Sequence, residues 1–272
     1  MNDTNTSVET GDGINLFLRT WPHEEPSATV LIVHGISEHI GRYEHVAAFF
    51  NARGYSVAGY DHRGHGRSGG PTMDIEGFQL LVDDLSLVAQ QVRSPRHPFI
   101  IYAHSMGGLV AAVHAESSMP QPDAYVLSAP ALDAKVPAVL RGAAQVFGKL
   151  APKLRMKSSI KGEQLSRDES VGVAYFADPL VNIAPTARFG WAMLSSMPDA
   201  RRDVEHITTP SLAIHGTEDT LVPPSASAIL AGVPCVERKL FPGLRHELHN
   251  EPEQDEVLEF VVRWINHRLE IG

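Results

Sequence analysis

A serine, an aspartate and a histidine, far apart in the chain but each just beyond a short apolar run, carry the chemistry this sequence offers. Ser105 stands in Ala103-His104-Ser105-Met106-Gly107-Gly108, where the run 99–103 turns into the helical pattern 109–115. A G-x-S-x-G-like match is informative in that setting, because a tight strand-to-helix turn exposes Oγ to a substrate. The first small position is Ala103 instead of glycine, one methyl more than the pattern asks. Serine alone is a weak nucleophile and needs a general base, plus a group that orients the base. The chain order Ser, acid, His is met by Asp219 in His215-Gly216-Thr217-Glu218-Asp219 and by His246 in Phe241-Pro242-Gly243-Leu244-Arg245-His246. Glu218 is the rival acid, better suited to a solvated loop. His249 is the rival base, three residues on and already turning into a helical segment.

Acyl transfer also needs donors for a tetrahedral oxyanion. The run 28–34 ends in His34-Gly35-Ile36, where Gly35 lets the backbone bend close to a reacting carbonyl. The backbone N–H of Ile36 and that of Met106, just after the serine, are therefore the expected oxyanion donors, one such donor being worth ~10²–10³ in rate. Two other motifs are set aside. Gly64-His65-Gly66-Arg67-Ser68-Gly69 satisfies G-x-G-x-x-G, but Gly70-Pro71 follows where a dinucleotide site needs a helix to begin. His246-Glu247-Leu248-His249 lacks the spacing of H-E-x-x-H, since Asn250 holds the second histidine's place. No metal and no cofactor are expected.

These residues need a scaffold, and the pattern supplies one. Apolar, β-branched runs at 14–21, 28–34, 55–60, 99–103, 124–128, 211–215 and 236–241 alternate with amphipathic stretches. Among the latter are Tyr43, Val46, Ala47, Phe50 and the face Phe78, Leu81, Val82, Leu85, Val88, Ala89, Val92. Such alternation predicts an α/β fold, a mostly parallel central sheet with helices on both faces. About eighty residues separate the runs ending at 128 and starting at 211, where a crossover needs only about a dozen. The surplus is read as a helical cap over the C-terminal strand ends, where open α/β sheets bind ligands. The expected division is core 1–130, cap 131–200 and core 201–272.

Within the cap, Val136, Val139, Leu140, Ala143, Val146, Phe147, Leu150 and Leu154 fall within an arc of ~120° on a helix. Pro137 suits its start and Pro152 its end. Six basic residues (Arg141, Lys149, Lys153, Arg155, Lys157 and Lys161) and no acidic one lie between Val136 and Gly162. The helix is therefore expected to touch an anionic membrane surface, although the stripe could instead pack on the core.

Composition bounds the rest. The 272 residues are 43% hydrophobic and 20% charged, ordinary for a globular chain, and the net charge of −9 argues against nucleic acid as partner. Cys235 is the single cysteine, so no internal disulfide can form. The polar, acidic first thirteen residues do not read as a signal peptide, and no apolar run is long enough to span a bilayer. The expectation is a cytoplasmic protein with peripheral membrane contact.

The chain resembles the monoacylglycerol lipases, serine hydrolases of the α/β-hydrolase fold, nearly end to end. The resemblance is carried by His34-Gly35-Ile36-Ser37-Glu38-His39 with Gly41-Arg42-Tyr43, and by Asp61-His62-Arg63-Gly64-His65-Gly66-Arg67-Ser68. The segments His104 to Gly108, Leu165-Ser166-Arg167, Asp178-Pro179-Leu180, His246-Glu247 and Asn250-Glu251 continue it. The resemblance implies a lipase cap, a single-chain acylglycerol or related ester as substrate, and a glycerol headgroup held at Glu38, Arg42, Tyr175 and His249. The bland reading of Glu38 and Arg42 is an ion pair beneath the loop. Lysophospholipase and general carboxylesterase activity use the same triad, and a non-catalytic binding module of this fold is the alternative outside enzymes.

Overall fold

The computed structural model describes residues 3–134, 136 and 138–271, without the side chains of Ala138 and Leu140. Eight strands form one sheet: β1 (Thr4–Glu9), β2 (Asn15–Trp21), β3 (Ala28–Val33), β4 (Tyr55–Tyr60), β5 (Phe99–His104), β6 (Ala124–Ser128), β7 (Ser211–Gly216) and β8 (Val236–Phe241). Their order is β1-β2-β4-β3-β5-β6-β7-β8. The β1–β2 and β2–β4 pairs are antiparallel, and every pair from β4 onward is parallel. The helices are α1 (Glu44–Asn51), α2 (Gln79–Val92), α3 (Met106–Ala115), α4 (Ala138–Leu150), α5 (Gly162–Leu165), α6 (Glu169–Ala177), α7 (Ala187–Asp203) and α8 (Gln254–Leu269).

Why the central strands are continuous apolar runs follows from their burial on both faces. In β3, Leu31 and Val33 enter a core shared with α2 and α3, whereas Val30 and Ile32 enter the opposite core with α1 and α8. The α/β architecture is the expected one. The sequence reading missed β1, because only Val8 of its six residues is buried and no apolar alternation marks it. Pairing across the turn at Gly11-Asp12-Gly13, with Val8 opposite Leu16, makes it a strand.

Helices α4 to α7 all lie in the connection between β6 and β7. Helix α4 turns small residues inward: Ala144 is buried, and a carbon added to Gly148 would sit 2.9 Å from Trp191 Cβ on α7. Its large apolar side chains point the other way. Val139 is 82% exposed and Leu150 80%, with Val146 and Phe147 also exposed, as is Leu154 beyond the helix end. Pro137 and the Leu140 side chain lie outside the described residues. Among those described, no helix is long and apolar enough to cross a membrane.

Candidate active site

Ser105 occupies the single residue between β5 and α3, with φ 53° and ψ −116°. A left-handed conformation at a non-glycine residue stores of order 1–3 kcal/mol and persists only where its surroundings enforce it. Three hydrogen bonds do so: Ser105 N–H donates to Ser128 O at 2.9 Å, and Ser105 O accepts from the amides of Leu109 and Ala131. Gly107 lets α3 close on the end of β3, since a carbon there would lie 2.4 Å from Val33 O and 2.6 Å from His34 O. The added methyl of Ala103 is fully buried.

The loops after β7 and β8 bring two more groups to this turn. His246 Nε2 is 2.9 Å from Ser105 Oγ, and His246 Nδ1 is 2.7 Å from Asp219 Oδ2. An ionised carboxylate only accepts, so Nδ1 carries the proton and Nε2 is left bare to receive one from the serine. Glu218 is exposed, and His249 lies in the short turn Leu248–Asn250 behind His104, their ring centroids 4.9 Å apart.

Asp219 is bound on every side. Its Oδ1 accepts the amides of Leu221 and Val222 at 2.9 Å each, and its Oδ2 faces His215 Nε2 at 3.2 Å. Burial would raise this carboxyl, but His246 and the His215 hydrogen bond outweigh it and hold Asp219 well below the usual range. Burial would likewise lower His246, but the Asp219 charge prevails and raises it. His104, beside Ser105, is pushed down to about 3 by burial and by His246, so it stays neutral. The sequence reading missed His215. Its signal was a histidine at a buried strand end, four residues before a loop acid.

Gly35 approaches Ser105 closely, for a carbon added to it would be 3.2 Å from Ser105 Cβ. Ile36 lines the same cavity, and neither Ile36 N–H nor Met106 N–H finds a protein acceptor among the described residues. That cavity measures about 280 Å³. Strand-end residues Gly35, Ile36, Ser105, Val222 and His246 form its floor, and Ile160, Leu165, Tyr175, Met193, Leu194 and Met197 from the β6–β7 connection form its roof.

One wall is polar. Glu38 and Tyr175 reach the cavity, while Arg42 and His249 are not among its lining residues. Arg42 is consumed by two carboxylates, donating to Glu38 Oε2 at 2.5 Å and through two nitrogens to Glu247 at 2.8 Å each. Its guanidinium also lies over the Tyr175 ring, 4.8 Å from the centroid. Glu38 Oε1 accepts from Tyr43 OH at 2.7 Å and from Gly35 N–H at 2.6 Å. Burial raises Glu38, whereas Arg42 overcomes burial at Glu247 and holds it down to about 2. His249 is fully buried and stacked on Tyr43, its two ring nitrogens without partners among the described residues. Asp178 accepts from His39 Nε2 at 2.8 Å, tying the β6–β7 connection to the loop after β3.

Comparison with known proteins places the chain among hydrolases. Residues 24–253 match the Hydrolase_4 family, described as serine aminopeptidase, S33. The chain is 38% identical to a monoacylglycerol lipase of Mycolicibacterium smegmatis, covering 94% of this chain and 95% of that protein. It is 30% identical to a monoglyceride lipase of Rattus norvegicus, covering 96% and 90% respectively. Among solved structures, a Paleococcus ferrophilus monoacylglycerol lipase superposes with a TM-score of 0.85 at 27% identity, covering 93% of this chain and 99% of that one.

Proposed function

The chain belongs to the Hydrolase_4 family and, within it, to the monoacylglycerol lipases, and from that premise we propose that it cleaves monoacylglycerols to fatty acid and glycerol through an acyl-enzyme on Ser105. The carrying observation is the relay of Ser105, His246 and Asp219 at 2.9 and 2.7 Å on the floor of a roofed, largely apolar cavity. His246 Nε2 takes the Ser105 proton as Oγ attacks the ester carbonyl. The Ile36 and Met106 amides receive the oxyanion. On collapse, His246 returns the proton to the departing glycerol oxygen, leaving an ester on Ser105. Water, deprotonated by the same nitrogen, then releases the fatty acid.

The headgroup is held at the polar wall. Glu38 and Tyr175 present their side chains to the cavity, Arg42 pairs with Glu38 and lies over the Tyr175 ring, and His249 stacks on Tyr43, which donates to Glu38. A peptidase reading is disfavoured because Glu38 and Glu247, the glutamates that line the cavity, both already hold the Arg42 guanidinium where an α-amine would have to pair. The chain divides into a core of residues 1–130 and 201–272 and a cap of residues 131–200. The cap docks on an anionic membrane surface through the exposed apolar face of α4, flanked by Lys149, Lys153 and Arg155. Turnover on monoacylglycerols, triacylglycerols, lysophospholipids and short p-nitrophenyl esters tests the reading. Monoacylglycerols are expected to be hydrolysed fastest among lipids. Equal or faster release from triacylglycerol emulsions refutes a roofed, single-chain site, and a preference for lysophospholipid refutes the neutral headgroup.

A further inference from the structure

The glycine-rich loop after β4 takes no part in the reaction as described, yet its His62 is bonded to the strand end that carries Gly35. His62 N–H donates to His34 Nε2 at 2.9 Å, and His62 Nε2 donates to His34 O at 3.0 Å. A ring nitrogen that accepts cannot hold the proton, so neutral His34 carries it on Nδ1. Burial, with His62 and His65 alongside, keeps a second proton off. Nδ1 has one acceptor, Gly35 O, at 2.7 Å.

That carbonyl shares a peptide plane with Ile36 N–H. The bond is trans, so the two point in opposite directions, and fixing one aims the other. The preceding peptide is fixed as well, by Gly35 N–H donating to Glu38 Oε1 at 2.6 Å. Glycine is required here because an added carbon would be 2.8 Å from Glu38 Oε1 and 3.2 Å from Ser105 Cβ. Glycine is also where a peptide rotates most freely. Close approach to the nucleophile therefore demands a residue that cannot hold its own orientation, and the two side chains supply what glycine lacks.

We infer that His34 is a positioning residue for oxyanion stabilisation: its Nδ1–H, set in that tautomer by the His62 backbone, holds the Gly35–Ile36 peptide with the Ile36 amide turned to the reacting carbonyl. The inference rests on the reading of Ser105 as nucleophile and Ile36 as donor. It also assigns the Asp61–Ser68 loop a task, as the buttress that fixes the histidine.

Two substitutions separate the ring nitrogens. His34→Asn keeps a donor at the Nδ1 position and gives up the acceptor, whereas His34→Gln reaches the Nε2 position and gives up the donor to Gly35 O. Each is measured on a p-nitrophenyl ester per site titrated with a fluorophosphonate, beside the inhibition constant of a trifluoromethyl ketone. His34→Gln is expected to lower kcat on the order of 10²-fold, as for loss of one oxyanion donor. KM stays nearly unchanged, and the ketone weakens by a similar factor. His34→Asn loses much less. Turnover per titrated site in His34→Gln close to wild type, or equal losses in both variants with ketone affinity intact, overturns the inference while the esterase reading stands. A wild-type protein without turnover, or turnover that survives Ser105→Ala, defeats that reading and this inference with it. Should neither variant fold, ¹⁵N-histidine spectra of the wild type decide: a bare Nε2 and protonated Nδ1 at His34 support the inference, and the opposite tautomer overturns it.

Discussion

Replacing Asp219 by asparagine reverses the proton relay without changing its shape. Oδ1 accepts two backbone amides, from Leu221 and Val222. The asparagine carbonyl must take that place, because turning the amide over would leave two buried N–H groups facing an NH₂ at about 1–3 kcal/mol each. The NH₂ then stands where Oδ2 stood, 2.7 Å from His246 Nδ1 and 3.2 Å from His215 Nε2. His246 can meet it only by accepting through Nδ1, which puts the ring proton on Nε2, against Ser105. A base already carrying its proton cannot take another. The corresponding reversal in a serine protease relay costs ~10⁴ in kcat, about 5 kcal/mol of barrier. His215 is left with its Nε2–H against the same NH₂ but keeps Val222 O at 3.0 Å, which limits the loss of stability to about 1–3 kcal/mol. The assay is steady-state hydrolysis of a p-nitrophenyl ester beside a thermal melt, with Glu218→Gln as the exposed-neighbour control. Asp219→Asn is expected to melt slightly lower and to turn over thousands of times more slowly, while Glu218→Gln matches wild type. Asp219→Asn within about tenfold of wild type refutes the tautomer argument.

His246 acts only when neutral, and Asp219 raises it from its ordinary value despite burial; kcat/KM should therefore fall in acid as one ionisation centred above the ordinary histidine value, and a limb centred below that value contradicts it. The exposed face of α4 should bind anionic vesicles at low salt, less at high salt, and less again when Phe147 and Leu150 become serine; wild-type protein that ignores such vesicles makes α4 an ordinary roof. Burial, with Asp203 nearby, pushes the Glu116 carboxyl up to about 8, and its Oε1 has no partner among the described residues. The native state thus binds this proton more tightly than the unfolded chain between its ordinary 4.5 and 8, and stability falls as pH rises through that window. Glu116→Gln should raise Tm at pH 9 and leave it unchanged near pH 4, and a difference independent of pH refutes the assignment.

What was legible in the chain was whatever burial writes into it. Strands covered on both faces must be apolar throughout, so β3, β4, β5, β6 and β7 announce themselves. β1 does not, because one buried valine is all the sheet asks of it. That Ser105, Asp219 and His246 meet was legible because each follows a strand at the same sheet edge in a fixed chain order. Their supports were not. His215 reaches Asp219 through a loop turn, and Arg42 meets Glu247 across 205 residues of sequence. In α4 the helical period placed Val139, Val146, Phe147 and Leu150 on one face, but nothing in the period says which face is inward. Ala144 and Gly148 decided that, because small residues let α4 lie closely on Trp191 of α7.

The most direct test of the account is where an acyl-mimicking probe lands. Ser105 Oγ, at 2.9 Å from His246 Nε2 on the floor of the cavity, should be the one serine phosphonylated by a fluorophosphonate, at one equivalent per chain and in step with loss of turnover. Ser105→Ala should take no label and hydrolyse no monoacylglycerol while keeping its fold. A peptide map placing the adduct on another serine, or turnover persisting in Ser105→Ala, contradicts it.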